Sequence, residues 1–257
     1  MDWRARPHVQ ETILAAALSR AAAAAPEGVV VLDLDSTLLD NRPRQARILQ
    51  DYGRVAGLPA LLEARPEHWQ GWDLEVALAN AGLSPAEIAA HARPARRFWA
   101  EWFFTSAYCR LDGAIPGAAE FVRTLARTGA RLAYVTGRPA RMRDGTLHVL
   151  RREGFPPPDG DRVRLLMKDD LALGDDAWKE VAAARVERIG PVAAAFDNEP
   201  AHVNLYARRW PGALVVHLDT DHSARPIEVL PGIPAIADFR TTLGVSDAVG
   251  SATAGGP

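Results

Sequence analysis

The stretch VVVLDLDSTLLD at positions 29–40 decides how this chain folds. Its apolar part, Val29 to Leu34, is continuous rather than alternating, which is typical of a parallel strand buried on both faces. Further apolar runs, one of them weaker, follow at 131–136, 163–167, 192–196 and 213–218. Because helix-like segments lie between the later runs, the sequence predicts βαβ units in an α/β fold with a doubly wound parallel sheet.

A long segment without strands interrupts this pattern directly after the first strand. It runs from Asn41 to about Asp112 and reads as helices. Ser84-Pro85-Ala86-Glu87 has the composition of a helix start, with an N-cap serine and a glutamate three residues later. We therefore predict a core at 1–41 and 113–245 and a helical insertion at 42–112. A small, Gly-rich and disordered tail is predicted at 246–257.

Composition excludes several classes of protein. The 257 residues carry a formal net charge of -2, and no dense basic stretch predicts a nucleic-acid partner. No apolar stretch is long enough to predict a membrane span, and residues 12–25 are interpreted as an amphipathic helix rather than a signal peptide. The single cysteine, Cys109, rules out an internal disulfide and suits a cytoplasmic location.

Two carboxylates close the first strand with one residue between them. Asp33 and Asp35 would repel each other unless a cation lies between them. Mg²⁺ prefers oxygen ligands, so a further carboxylate should join them from elsewhere in the chain. Asp197, which follows the apolar run at 192–196, is the candidate.

Residues suited to phosphate follow another strand. Thr136, Gly137 and Arg138 place a hydroxyl, backbone N–H groups and a guanidinium at a strand end, where phosphate oxygens bind well. Lys179 begins the helix before the Asp197 strand, and its ammonium group is expected to hold the phosphate. Lys168 competes with Lys179 for this role, which we assign to Lys179 because of its place in that helix.

The order Asp-x-Asp-x-Thr, strand-end Thr, Lys and strand-end Asp resembles the haloacid dehalogenase-like superfamily over roughly residues 28–218. The resemblance implies that Asp33 attacks phosphorus and that Asp35 is the general acid and base, its backbone carbonyl touching the metal. It also implies that Thr136 and Lys179 bind the phosphoryl group and that Asp197 completes a Mg²⁺ site. An aspartate at position 35 is similar to the phosphatase pattern of the family.

The segment after Asp197 departs from the family pattern. Ala201 and His202 stand where many members carry a second metal-binding acid, so Asn198 or Glu199 would have to support the metal. We interpret the aromatic residues of the insertion mainly as core rather than as substrate contacts. They are Trp69, Trp72, Phe98, Trp99, Trp102, Phe103 and Phe104.

The reading that fits best is a Rossmann-like α/β core with a helical cap that hydrolyses a small phosphomonoester. The sequence leaves open the substrate and the oligomeric state. A phosphotransferase or mutase of the same family remains an alternative, as does an inactive protein that binds a phosphorylated ligand. A receiver-type regulatory domain is disfavoured by the insertion at 42–112 and by Asp35.

Overall fold

The structure, a computed structural model, describes residues 7–169 and 171–241. The tail predicted at 246–257 therefore lies outside the described residues. No helix within the described ranges is long and apolar enough to cross a lipid bilayer.

A parallel six-stranded sheet forms the centre of the fold. The strands of the described chain are β1 (Val29–Leu32), β2 (Leu39–Asp40), β3 (Gly113–Ala114), β4 (Arg131–Pro139), β5 (Val163–Lys168), β6 (Val192–Asp197), β7 (Leu214–Leu218) and β8 (Ala235–Ile236). The sheet has the order β5-β4-β1-β6-β7-β8, and every neighbouring pair in it is parallel. The predicted fold class is confirmed.

Helices cover both faces of this sheet. They are α1 (Pro7–Ala24), α2 (Arg42–Ala56), α3 (Pro59–Leu62), α4 (Leu74–Asn80), α5 (Pro85–Phe103), α6 (Ser106–Cys109), α7 (Ala118–Arg127), α8 (Arg143–Arg152), α9 (Asp175–Glu187) and α10 (Pro200–Arg209). Strand β1 shows the two layers clearly, since its side chains alternate between the faces. Val30 and Leu32 pack with residues of α1, α7 and α8, whereas Val29 and Val31 pack with residues of α9 and α10.

Residues 42–112 contribute the helices α2 to α6 and one short turn of tighter helix, Pro66–His68. Leu49, Leu61 and Leu78 belong to a buried apolar cluster of this segment, separate from the two clusters on the sheet. Ser84 and Glu87 form the predicted capping box at the start of α5. The short antiparallel pair of β2 and β3 brings the two ends of the segment together. The domain boundaries themselves stay a prediction.

The carboxyl ends of the central strands form the floor of the candidate site. Because β1 lies between β4 and β6, the residues that end these three strands meet at one edge of the sheet. Strand β4 runs further than expected, to Pro139, since Pro139 pairs with Lys168 after an irregularity in the register. Thr136 and Gly137 thus lie within a strand rather than after it.

Candidate active site

A tight turn after β1 sets the directions of the first two carboxylates. Asp33 donates its N–H to the carbonyl of Phe196 at 3.0 Å, which extends the pairing of β1 with β6. The chain then folds back, and the N–H groups of residues 37, 38 and 39 all donate to the carbonyl of Leu34. Ser36 takes a φ of 58° within this turn, a conformation that non-glycine residues rarely adopt. Asp33 and Asp35 consequently make different contacts.

Asp33 and Asp197 share one cation. Lys179 Nζ lies 2.6 Å from Asp33 Oδ1 and 2.7 Å from Asp197 Oδ2, and it also donates to the Val135 carbonyl at 3.1 Å. Burial raises the pKa of Asp33 to about 7. The single ammonium group of Lys179 offsets the effect of burial only in part, and repulsion from Asp197 raises this pKa further. Burial opposes the charge on Lys179, but Asp197 and Asp33 hold the pKa of Lys179 well above its usual value.

His202 is a neighbour of this group that the sequence did not assign to the site. Its Nδ1 lies 3.2 Å from Asp197 Oδ1, and its Nε2 lies 3.1 Å from Asp176 Oδ1. Burial raises the pKa of Asp197, but Lys179 and His202 outweigh that effect and hold it below its ordinary value. The position of His202, five residues after Asp197, was the available signal.

Asp35 lies in a different ionic group. Arg138 binds it with two nitrogens, at 2.7 and 2.9 Å, and Arg44 Nη2 lies 2.6 Å away. Both arginines also bind Asp112, which is fully buried. Burial would raise the pKa of Asp35, but Arg138 and Arg44 outweigh it and hold this pKa far below its usual range. The pKa of Asp112 is raised by burial to about 6 despite the same two arginines.

This arrangement changes the interpretation of Arg138. We expected its guanidinium among the phosphate ligands, whereas the structure buries it and pairs it with carboxylates. Arg44 and Asp112 were missed altogether, because each comes from a segment that reads as ordinary helix or loop. Only the folding of α2 over the sheet edge brings Arg44 to Asp35.

The candidate phosphate-binding residues Thr136 and Gly137 line the same cavity as Asp33. Thr136 Oγ1 accepts a hydrogen bond from the Arg138 N–H at 3.2 Å, and the Thr136 carbonyl accepts one from Trp178 Nε1 at 2.8 Å. A Cβ atom on Gly137 would lie 2.9 Å from Asp175 Oδ1, so a larger residue would have to displace that side chain. The backbone here is therefore closely surrounded.

One cavity of about 630 Å³ connects these groups. Its lining includes all of the predicted site residues, namely Asp33, Asp35, Thr136, Gly137, Arg138, Lys179 and Asp197. Asn198 and Glu199 also line it. Lys168 is not part of this lining, and it pairs with Asp175 and donates to the Leu173 carbonyl at 2.9 Å, so Lys179 remains the candidate phosphate ligand.

The insertion supplies an aromatic part of the cavity wall. Trp72, Phe103 and Phe104 line the cavity, in contrast to our interpretation of the insertion's aromatic residues as core. That interpretation does hold for Trp69, which is buried in the apolar cluster of the segment. The helical spacing of aromatic residues does not distinguish the two situations, because a cavity wall and a core both need an apolar helix face.

The carboxylates have the chemistry of a magnesium site. Oxygens of Asp33 and Asp197 lie within hydrogen-bond distance of the same nitrogen, so both already face one position that accepts positive charge. Magnesium takes oxygen ligands, often one or two carboxylates completed by water and substrate phosphate. Asn198 also lines the cavity, where its Oδ1 accepts from Thr37 Oγ1 at 3.2 Å and its Nδ2 donates to the Asp221 carbonyl at 2.7 Å. Among residues 7–169 and 171–241, no three His, Cys, Asp or Glu side chains form a metal-binding cluster, so the two carboxylates fit Mg²⁺ only as a partial donor set that water and substrate phosphate would complete.

The chain is similar to known proteins in both sequence and structure. It is 29% identical to the phosphoglycolate phosphatase of Vibrio cholerae over 179 residues, which are 61% of this chain and 79% of that protein. The solved structure of Protein Tyrosine Kinase A (PtkA) of Mycobacterium tuberculosis matches with a TM-score of 0.52 and 18% identity over 84% of this chain and 95% of that chain. CbbY of Rhodobacter sphaeroides matches with a TM-score of 0.46 and 16% identity over 83% and 94%. No protein-family profile matches the chain.

Proposed function

We propose that this chain, a haloacid dehalogenase-like phosphatase, hydrolyses a small phosphomonoester through an aspartyl phosphate on Asp33. The observation that supports this mechanism best is the buried Asp33 carboxylate, which lines the cavity and touches Lys179 at 2.6 Å. A nucleophilic carboxylate next to a fixed ammonium group suits attack on an anionic ester, because the cation offsets the charge repulsion. A cytoplasmic location stays a prediction.

The reaction proceeds in two displacements at phosphorus. An oxygen of Asp33 bonds to phosphorus while the bond to the ester oxygen breaks, and the alcohol leaves with a proton from Asp35. Asp35 then takes a proton from water, whose oxygen bonds to phosphorus as the bond to Asp33 breaks, and phosphate is released. Lys179 and Thr136 bind the transferring group throughout. Mg²⁺, held by Asp33, Asp197 and the Asp35 carbonyl, would neutralise phosphate charge.

The two arginines on Asp35 add a condition to this mechanism. Arg138 and Arg44 stabilise the ionised carboxylate, which suits the base of the second displacement. To act as the acid of the first displacement, Asp35 must carry a proton, so it has to exchange at least one arginine contact when the substrate binds. We propose that this exchange accompanies substrate binding.

Phosphate release from a panel of phosphomonoesters, with and without Mg²⁺, tests the proposal. We expect release that needs Mg²⁺ and that falls at least about 10³-fold in Asp33→Asn, which keeps the shape of the side chain but not its nucleophilicity. Asp161→Asn is the matched control, since Asp161 is exposed and lies outside the cavity lining. Full activity in Asp33→Asn would exclude the covalent mechanism. If only added alcohols accepted the phosphoryl group, the protein would be a phosphotransferase.

A further inference from the structure

The cavity has an apolar wall that the proposed chemistry does not use. Trp72 lies edge-on to Phe103, with ring centroids 5.5 Å apart, and Phe103 lies edge-on to Phe104 at 5.0 Å. Trp99 stacks behind Phe103 at 4.4 Å, and the guanidinium of Arg44 lies 4.0 Å from the centroid of the Phe103 ring. The rings thus support one another, so the wall is preformed rather than assembled by a ligand.

Trp72 is held in this wall by an unusual backbone conformation. Its φ of 59° is one that bulky residues seldom adopt. Two contacts to the core maintain it, since the Gly71 N–H donates to Asp221 Oδ1 at 3.2 Å and Trp72 Nε1 donates to the Asp221 carbonyl at 3.3 Å. Such conformations persist where the surroundings enforce them, and they cluster at ligand sites. The ring is nevertheless only half-buried, so part of it remains available to a ligand.

The charges of the cavity lining also favour a neutral group over an anionic one. Each cationic residue of the lining is already paired, Lys179 with Asp33 and Asp197, Arg138 with Asp35, and Arg225 with Asp176 and Glu199. Asp175 adds a further acid to the same lining. A second anionic group on the substrate would therefore meet carboxylates and committed cations, whereas a neutral ring would meet an apolar surface.

We infer that the preferred substrate is a phosphomonoester whose alcohol carries a neutral aromatic ring, and that Trp72 determines this preference. The inference rests on the proposed phosphatase function and extends it to the leaving group. The inferred substrate differs from phosphoglycolate, whose alcohol carries a carboxylate. An aromatic ring on the alcohol can pack against Trp72. A short alkyl group on a comparable primary alcohol does not gain this contact.

Three esters test the inference: 2-phenylethyl phosphate, propyl phosphate and phosphoglycolate, each with Mg²⁺. Both 2-phenylethanol and propanol are simple primary alcohols, so differences in rate report on recognition rather than on the leaving group. We expect kcat/KM for the phenylethyl ester to exceed that of the other two by at least about tenfold. In Trp72→Ala the ratio of phenylethyl to propyl ester should fall to near one.

Trp102→Ala is the matched control. Trp102 belongs to the same segment and contacts Phe98 and Tyr108, but it does not line the cavity, so the ratio should be retained. The rates of the wild-type protein on the three esters already test the aromatic preference. That test therefore stands even if Trp72→Ala does not fold. Release that is equal for all three esters, or fastest for phosphoglycolate, overturns the aromatic preference alone. Release from none of the three overturns the proposed function as well.

Discussion

Two buried ionic groups stand next to each other at this sheet edge, and they differ in charge balance. In the first group, which we call the lysine group, Lys179 faces Asp33 and Asp197. In the second, which we call the arginine group, Arg44 and Arg138 face Asp35 and Asp112. In the lysine group one ammonium faces two carboxylates, and His202 adds a second cation only when its imidazole is protonated, whereas the arginine group is balanced. A deficit of positive charge favours a divalent cation, which in turn would offset the charge of a phosphoryl group.

Each group holds one carboxylate whose pKa is raised and one whose pKa is lowered, since burial raises the pKa of Asp112 to about 6 and, against burial, Lys179 and His202 lower that of Asp197. The pKa of Asp33 is raised to about 7 by burial, since its cation is shared. Burial acts on Asp35 as well, but two guanidinium groups reverse the direction and lower its pKa. Neighbouring aspartates in one turn thus differ in the direction of their pKa shifts, as they do in the roles that we propose for them.

Among the substitutions that test this comparison, removal of Lys179 should lower the stability most. We expect Lys179→Met to lower the free energy of unfolding by about 3–5 kcal/mol, because buried Asp33 loses its cation and buried Asp197 is left with His202 as its basic partner. Millimolar Mg²⁺ should recover part of this loss by binding between the carboxylates. Urea unfolding with and without Mg²⁺ measures both effects. If Lys179→Met were as stable as the wild type when both are measured without Mg²⁺, the lysine group would not be short of positive charge.

Removing one arginine should cost less. In Arg44→Met both Asp35 and Asp112 keep Arg138, so we expect a loss of about 1–3 kcal/mol in the free energy of unfolding. Mg²⁺ should not restore it, since the arginine group is not the metal position. The same urea experiment decides this, and recovery of Arg44→Met by Mg²⁺ would show that the two groups are not distinct.

The affinity for Mg²⁺ should depend on pH through Asp33. With the pKa of Asp33 raised to about 7, the carboxyl is protonated below that pH and must lose its proton to bind metal. The apparent Kd should therefore weaken about tenfold for each pH unit below 7 and level off above it. Asp197, with a lowered pKa, stays ionised and adds no dependence in this range.

Calorimetric titration with Mg²⁺ between pH 5.5 and 8 measures this dependence. In the His202→Gln background, which removes the imidazole that contacts Asp197, the substitution Asp33→Asn should abolish the slope, although the affinity itself is lower at every pH. A slope that persists in this double variant would assign the titration to another group.

The smallest effect is expected from a more exposed ionic contact. Arg225 pairs with Asp176 and Glu199 at the cavity, but its side chain is 39% exposed. We expect Arg225→Gln to change the free energy of unfolding by less than about 1 kcal/mol, because exposed pairs are screened by solvent. A loss as large as that of Arg44→Met would mean that burial does not control the energies of these groups.

Much of the site was predictable from the strand ends. Asp33, Thr136 and Asp197 each follow or end an apolar run, and parallel strands bring such positions to one edge. Arg44 and Asp112 were not predictable in this way, because their contacts with each other, with Asp35 and with Arg138 join segments that are separate in sequence. Arg44 lies 68 residues from Asp112, and Arg138 lies 103 residues from Asp35.

By itself, the sequence determined the fold class, five of the six strands of the sheet, and Asp33, Asp35 and Asp197 as carboxylates of the cavity, since these follow from local hydrophobic periodicity and from strand ends. Only the tertiary structure decided which cation each carboxylate meets, and hence that Asp33 is short of positive charge while Asp35 is not. It also decided that Trp72 faces the cavity. Burial and electrostatic pairing depend on distances in space, which the spacing of residues along the chain does not contain.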